Sequence, residues 1–535
     1  MFVSPPVYIQ QSMRGVTAMS LAERAGELFM IGFRGTDPGD VPEALIRTEG
    51  VGGVILFARN LVSADQARRL TARIQSCSPD LPLLIAVDQE GGIVLRLAVT
   101  PWPGAMSLGA AGSPDLTRRV GAGIARELRA MGINMNLAPV LDVNVNPANP
   151  VIGVRSFGSD PARVAEHGAA YIRGHHDEGV LATAKHFPGH GDTDVDSHLA
   201  LARVPHGMDR LEAVELVPFR WAIAAGVDAI MTAHVVFPAV EPDPDRPATL
   251  SPAVLTGLLR EQLGFDGLVI TDCMEMKAIA DHAGTAEGAV QAIAAGADLV
   301  LISHTERLQR EAIAAVRAAI ASGRIPAWRV EEALRRVRAA RERVAQRWQT
   351  ADLADVGAPA HQALAAEAAA AAVTAVGDLG SLVPLRPERA LLLAVDPAPV
   401  VEVEEREPAG SPVLQAAARL APALRAVGVR RDPDPDEVER LVAAAAGADP
   451  VVVATFLAPR FPGQVALVRA LQAAGHRVVL VPQRGPYDLL AVPGMAGAVV
   501  MYEERPLAAE AALRCLLGQA AAPGRLPVAL PGHSD

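Results

Sequence analysis

About eight apolar, strand-like runs alternate with amphipathic helical stretches between residues 28 and 325, and four more do so after residue 390. That pattern predicts an α/β protein of two domains: an N-terminal (β/α)8 TIM-type barrel followed by a smaller C-terminal α/β layered domain. The length agrees, because 535 residues exceed what one hydrophobic core ordinarily serves. So does the composition, since 50% hydrophobic and 20% charged residues can bury enough apolar surface to offset the ordering entropy.

Barrel strands are expected at 28–33 (LFMIGF), 52–57 (GGVILF), 82–88 (PLLIAVD), 134–143 (NMNLAPVLDV), 182–187 (ATAKHF), 229–235 (AIMTAHV), 267–272 (GLVITD) and 298–303 (DLVLIS). Helical stretches at 63–76, 114–131, 161–178, 209–225, 252–263, 284–296 and 305–322 follow most of them, several opening on Ser, Asp or Thr at an N-cap. An open doubly wound sheet is the alternative, but no G-x-G-x-x-G follows the first strand, and polar residues cluster after several strands rather than one. The helix at 326–348 is dense in Arg and Glu, with Val330, Leu334, Val337 and Val344 in one stripe that packs along the barrel. Its charged side reads as a solvated face rather than a nucleic-acid contact.

The barrel domain is thus expected over 1–348, including an N-terminal extension 1–20 and the closing helix, with a linker at 349–360 and the second domain at 361–535. The Ala-rich run from Ala365 to Val376 reads as a buried helix. Apolar runs at 390–396, 450–456, 477–482 and 498–503 then alternate with helical segments near 411–426, 435–447, 463–474 and 507–518. This domain carries no Gly-rich phosphate loop and no His/Cys cluster, and its strand-end carboxylates Asp396 and Glu503 belong to no motif. A structural or interface role is expected of it.

The 60 acidic and 49 basic side chains leave a net charge of −11, the wrong sign for an electrostatic nucleic-acid binder. Cys77, Cys273 and Cys515 are few, dispersed and odd in number, which argues against a disulfide framework and suits a reducing compartment. The first residues show no uninterrupted apolar segment after a basic start, so a cytoplasmic location is expected. No stretch reaches the ~18 uncharged residues of a membrane span, so no membrane partner is expected. Oligomeric state leaves no signal in the sequence.

Four polar concentrations follow the strands. The densest is Lys185-His186-Phe187-Pro188-Gly189-His190-Gly191-Asp192-Thr193-Asp194-Val195-Asp196-Ser197-His198. Its histidines and aspartates could ligate a metal, but no H-x-H follows the first strand and the spacing of H-E-x-x-H is missing. Alternatively His198 shuttles a proton while Asp196 orients and polarises it, a task suited to an imidazole titrating near neutrality. The plain alternative is a capped, pinned loop, favoured for Asp192 and Asp194. The second concentration is the strand ending in Thr271-Asp272-Cys273, where Asp272 could be nucleophile, general base, metal ligand or helix cap. Cys273 has no cationic activator beside it and reads as a small buried hydrophobe. In the third, Asp88-Gln89-Glu90-Gly91-Gly92, paired glycines permit close backbone approach, and Asp88 with Arg96 forms either a salt bridge or a grip on vicinal hydroxyls. Arg155, in Asn149–Gly158 (NPVIGVRSFG), faces the same choice.

Together and in this order, VDQEGG (87–92), NPVIGVRSFG (149–158), KHFPGHGDTDVDSH (185–198) and TDCMEM (271–276) resemble glycoside hydrolase family three, specifically its β-N-acetylglucosaminidase branch. The resemblance covers the barrel from about 28 to 325; the second domain resembles the family's α/β sandwich more loosely, with a similar tail at 524–531. It implies Asp272 as nucleophile, His198 as general acid/base and Asp196 as its dyad partner. It implies sugar-hydroxyl ligands in Asp88, Arg96, Arg155, Lys185 and His186, with His190 and His234 lining or supporting the pocket. It implies no cofactor and no metal ligand. Ile93 departs from the pattern, since related sequences often have Arg after the double glycine. Other branches take their acid/base from a glutamate of the second domain, and the D-S-H loop separates this chain from them.

The expected reaction is a two-step, anomer-retaining hydrolysis of terminal β-linked N-acetylglucosamine through a glycosyl-aspartate. An imidazole base repels an anionic acceptor less than a carboxylate does, so phosphorolysis is a minor alternative. The expected substrates are small carbohydrates, β-N-acetylglucosaminides from peptidoglycan fragments, with chitooligosaccharides as runner-up. A metal-dependent barrel hydrolase using His186, His190, His198 and Asp272, and a non-catalytic sugar-binding barrel, are the rivals from other classes.

Overall fold

Each barrel strand is buried on both faces, one against the barrel interior and one beneath the helices, which is why the strands read as unbroken apolar runs. Eight parallel strands close in sequence order: β1 (Phe29–Ile31), β2 (Gly53–Leu56), β3 (Leu84–Val87), β4 (Met135–Asn136), β5 (Leu181–Phe187), β6 (Ala229–Thr232), β7 (Leu268–Cys273) and β8 (Leu299–Ile302), which pairs back to β1. This computed structural model describes residues 19–78, 80–195, 200–347, 351–399, 404, 410–492 and 494–531. The N-terminal extension and the linker therefore lie partly outside the described residues.

The outer helices include Ala64–Gln75, Pro114–Ala130, Pro161–Asp177, Thr285–Ala295 and Glu306–Ala321. Ser63, Ser113 and Asp160 cap three of them by accepting the backbone N–H of Gln66, Leu116 and Ala162, each cap contributing about 1 kcal/mol. Three expected elements differ. The strand expected over 134–143 shortens to Met135–Asn136, because Pro139 has no N–H to give the ladder; beyond it one bridge joins Val140 to Lys185. The helix expected over 209–225 divides into Met208–Ala213 and Leu216–Ala224, which places Pro218 in the first turn of the second piece, where no intrahelical donor is needed. The helix expected over 252–263 is wound as a π-helix, Ala253–Gln262.

The closing helix, Ala327–Arg347, seals the N-terminal mouth of the barrel. Val337, Ala340 and Val344 join the interior cluster of Met30, Leu84, Met135 and Ile270. Its charged side corrects the sequence expectation, for much of it is not solvated. Arg329 and Arg336 are buried on Asp298 at 2.5 and 3.4 Å, and Arg341 donates to the carbonyls of Leu81 and Pro82. Arg343 meets Asp228 at 2.6 Å. Asp298 and Asp228 stand just before β8 and β6 and accept the N–H of Val269 and Ala182 in the neighbouring strands. The helix thus ties the strand starts together by charge, away from the catalytic end.

The second domain is a six-stranded sheet between helical layers: β9 (Thr374–Gly377), β10 (Leu391–Val395), β11 (Arg425–Val429), β12 (Val451–Ala454), β13 (Val478–Leu480) and β14 (Gly497–Val500), in the order β9-β14-β13-β12-β10-β11. Only β9 is antiparallel. Two expectations are corrected here. The Ala-rich helix, Pro359–Ala372, stops before Val376 and gives way to β9; the helix Pro412–Leu420 stops before 426 and gives way to β11. Both strands are sheet edges with exposed residues, so neither shows an apolar run. Ala365 and Ala368 pack into the barrel's shell, and Ile93, Val94, Met106 and Val154 of the barrel share one cluster with the second domain. Among the described residues no helix is long and apolar enough to cross a membrane.

Candidate active site

A cavity of about 320 Å³ opens at the C-terminal ends of the barrel strands. Its floor is apolar, made by Ile55, Leu137, Met231 and Leu301, and its rim carries Asp88, Arg96, Arg155, Lys185, His186 and Asp272. Residues at or just beyond the ends of β3, β4, β5 and β7 converge on one space, as the barrel geometry requires.

Asp88 directly follows β3 and leads into a small antiparallel hairpin, Gln89–Gly91 with Val94–Leu95. Its turn uses Gly91 and Gly92 at φ +98° and +59°. A Cβ on Gly92 would lie 2.8 Å from Gly104 Cα, so the turn needs glycine for both conformation and space. The hairpin returns Arg96 to within 3.4 Å of Asp88, and the Arg96 backbone N–H donates to Gln89 Oε1 at 2.8 Å.

Lys185 and His186 are neighbours on β5, yet both line the cavity. A register shift against β6 between Ala184 and Phe187 breaks the usual alternation there. Lys185 Nζ donates to Asp88 at 2.7 Å and lies 2.6 Å from Glu90. Glu90 also receives a bidentate pair from Arg155 at 2.9 and 2.8 Å. Burial pushes the Glu90 carboxyl up, but the charges of Arg155 and Lys185 outweigh it and hold the group well below the usual carboxylate range.

His186 Nδ1 pairs with Asp142 Oδ2 at 2.7 Å, leaving Nε2 on the cavity side. Asp142 Oδ1 accepts the backbone N–H of His190 at 2.6 Å, so one buried carboxylate fixes both the ring and the loop after β5. Burial raises the Asp142 carboxyl, yet His186 and His190 bring it below its ordinary value. His190 pairs with Thr193 and does not line the cavity; burial pushes it down to about 4, so it is neutral. His234 lies behind β7, with Nδ1 on Thr249 at 2.8 Å and Nε2 on the Cys273 carbonyl at 3.0 Å. These two histidines support the walls rather than touch the cavity.

Asp272 stands at the end of β7, partly exposed, and its Oδ1 accepts the Cys273 N–H at 2.7 Å. Burial pushes the Cys273 thiol up to about 11, so no thiolate competes near neutrality. Asp196 and His198 lie outside the described residues. Among the described residues, no group of three or more His, Cys, Asp or Glu is arranged to hold a metal ion.

Several site residues escaped the sequence reading. Asp142 is the single charge in the apolar run 134–143, and an isolated buried charge must be paired, which is a usable signal. Glu90 was in view within the 87–92 motif but had no assigned partner. Arg59 lies over the Phe57 ring at 4.1 Å and donates to the Ser303 carbonyl at 2.7 Å; no motif marks either residue. Glu404 brings the second domain, of which a structural or interface role was expected, to the wall of the site. It lines this cavity, held by Arg484 at 2.7 Å, within an acidic stretch that resembles a solvated loop.

The rim alternates cationic donors with carboxylate acceptors, the arrangement that grips vicinal hydroxyls, and sets one accessible carboxylate beside them. Comparison with known proteins bears on this geometry. The family model described as "Glycosyl hydrolase family 3 N terminal domain" matches residues 20–340. A relative named "Beta-hexosaminidase A" from Pseudoalteromonas piscicida is 40% identical over 287 residues, 50% of this chain; the match spans about half of that protein, 48%. A "Beta-hexosaminidase" from Stenotrophomonas maltophilia is 40% identical over 297 residues, 54% of this chain and 87% of that protein. The solved structure of a glycoside hydrolase family 3 beta-N-acetylglucosaminidase from Paenibacillus superposes with a TM-score of 0.89 at 41% identity, covering 96% of this chain and 99% of the other.

Proposed function

The chain belongs to glycosyl hydrolase family 3, a family of glycoside hydrolases, and we propose that it is an exo-acting, retaining β-N-acetylglucosaminidase. The observation that carries the reading is Asp272 at the end of β7, sharing one cavity with Asp88, Arg96, Arg155, Lys185 and His186. Relatives named as β-hexosaminidases and the Paenibacillus enzyme support the choice of sugar.

In this mechanism the five rim residues hold the hydroxyls of the terminal sugar. Asp272 attacks the anomeric carbon while His198, oriented by Asp196, protonates the departing oxygen, and a glycosyl-aspartate forms. His198 then takes a proton from water, which displaces the aspartate with a second inversion and leaves the anomer retained. Neither Cys273, whose thiol stays protonated, nor Glu404, whose carboxylate is paired with Arg484, offers a better-placed partner for Asp272. Peptidoglycan fragments in the cytoplasm are the proposed natural setting, on the strength of the branch resemblance. The net charge of −11 gives no general attraction for anionic fragments, so their selection rests on local groups.

The test compares an aryl β-N-acetylglucosaminide with the matching aryl β-glucoside in the wild type and in Asp272→Ala. The expected result is preference for the N-acetylated sugar and a loss of about 10⁴-fold or more in kcat for the variant. Preference for the plain glucoside, or full activity in the variant, would sink the proposal.

A further inference from the structure

The hairpin that returns Arg96 to Asp88 rests on the segment 99–104, and the Gly92 N–H donates to the Trp102 carbonyl at 2.8 Å. The contact is close: a Cβ on Gly91 would lie 2.4 Å from the Pro103 carbonyl oxygen. Within the hairpin, the Gln89 side chain accepts the Arg96 N–H and donates to the Leu97 carbonyl. The place of Arg96 therefore follows the place of Trp102 and its neighbours.

Trp102 is buried against the helix Pro114–Ala130, where Gly123 leaves it room, since a Cβ there would come within 2.3 Å of the indole. One turn further along the helix, the buried Glu127 accepts the indole N–H on Oε2 at 3.0 Å. Its Oε1 accepts the Thr100 hydroxyl at 2.5 Å. The same oxygen meets two groups from beyond the barrel, the Gly357 N–H at 3.0 Å and His361 Nδ1 at 2.9 Å. Gln362 donates to the Val99 carbonyl at 3.0 Å, and Glu503 accepts the Gly104 N–H at 2.9 Å. The segment under the hairpin is thus gripped at both ends by the second domain and the chain leading into it, although neither Trp102 nor Glu127 lines the sugar cavity.

We propose that the segment 99–104 couples docking of the second domain to sugar affinity, with Glu127, Trp102 and His361 as positioning residues for Arg96. The proposal rests on the reading of the barrel cavity as the sugar pocket. Loosening the segment lowers the fraction of molecules with Arg96 in place, and the apparent affinity falls by that fraction.

The test uses the full chain carrying Glu127→Gln or His361→Phe. An amide at 127 has one accepting oxygen where the carboxylate has two, so its NH2 must face one set of donors. His361→Phe keeps a ring beside Trp102 and removes the donor on the second domain's side. Each variant is expected to raise the inhibition constant of N-acetylglucosamine, and KM for the aryl N-acetylglucosaminide, by at least about threefold, with kcat within about twofold. A merely structural role would reduce the amount of folded enzyme, and so the apparent kcat, and leave both constants alone. In an Arg96→Ala background the same substitutions are expected to add less than about twofold, because they act through the group already removed.

Wild-type constants in both variants overturn the proposal. A change in Glu127→Gln alone overturns the part given to the second domain, and an undiminished change in the Arg96→Ala background overturns the route through Arg96. If Glu127→Gln does not fold, Trp102→Phe, which removes only the indole donor, decides by the same constants. An active wild type with unmoved constants in the variants defeats this proposal alone. A wild type inactive on every N-acetylglucosaminide defeats the proposed activity, and this proposal with it.

Discussion

Glu90 shows how a single side chain sets the electrostatics of the rim. Its buried carboxylate holds Arg155 through two hydrogen bonds and lies 2.6 Å from Lys185, so two of the five proposed sugar ligands depend on a residue that does not itself line the cavity. Removing one partner of a buried ion pair ordinarily costs about 3–5 kcal/mol, because the other charges stay desolvated. Glu90→Gln keeps the shape and removes the charge. The expected outcome is a loss of stability in that range by denaturant unfolding, together with a raised KM for the aryl N-acetylglucosaminide. Wild-type stability in this variant would contradict the account. Asp142 acts similarly on His186, and the two acids divide the support of the rim between them.

At the scale of elements, the closing helix decides how the barrel is stapled at the end opposite the site. Asp298 is fully buried and meets Arg260, Arg329 and Arg336, while its oxygen also accepts the Val269 N–H. Arg329→Ala removes the guanidinium that also binds the Ala297 carbonyl at 2.9 Å. Unfolding is expected to become easier by about 3 kcal/mol. The residual folded fraction should keep an unchanged KM, since no part of this cluster lines the cavity. A change in KM at unchanged stability would refute the separation of staple and site. The sequence revealed the helix and its apolar stripe but not the role of its arginines. A charged helical face reads the same whether it meets water or the carboxylates that precede two distant strands.

Over the whole molecule, the two domains are joined by a buried carboxyl that no motif had explained. Glu503, three residues after β14, accepts the Gly104 N–H at 2.9 Å beside the Gly91–Gly92 turn that carries Arg96 back to the site. Burial pushes this carboxyl up to about 8 from its usual 4.5, with the Gly104 hydrogen bond opposing and the charge of Glu504 adding. The folded protein therefore keeps a proton that the unfolded chain releases above about pH 4.5. This contribution to stability is complete below pH 4.5 and is lost as the pH rises through about 8. Thermal midpoints are expected to fall across that window, and Glu503→Gln, which retains an acceptor for Gly104, should flatten the decline. A variant with the wild-type slope would assign the pH dependence elsewhere. Asp396, the other strand-end acid of this domain, is exposed.

The sequence by itself determined the alternation of strand and helix, the family motifs and the polar residues that end β3, β5 and β7. These are local matters: apolar periodicity, glycine turns and strand-end acids are written in contiguous residues. It did not reveal the edge strands β9 and β11, whose exposed residues make no apolar run, nor the shortening of β4, where Pro139 outweighs its apolar neighbours. Only the tertiary structure decided the partnerships: Glu90 with Arg155 across 65 positions, Asp142 with His186 across 44, and Glu503 with Gly104 across 399. It also brought Glu404 to the rim and made Ile93 part of an interdomain wall. The reason is physical: a buried charge is defined by what surrounds it, and chain closure, not sequence proximity, chooses those surroundings.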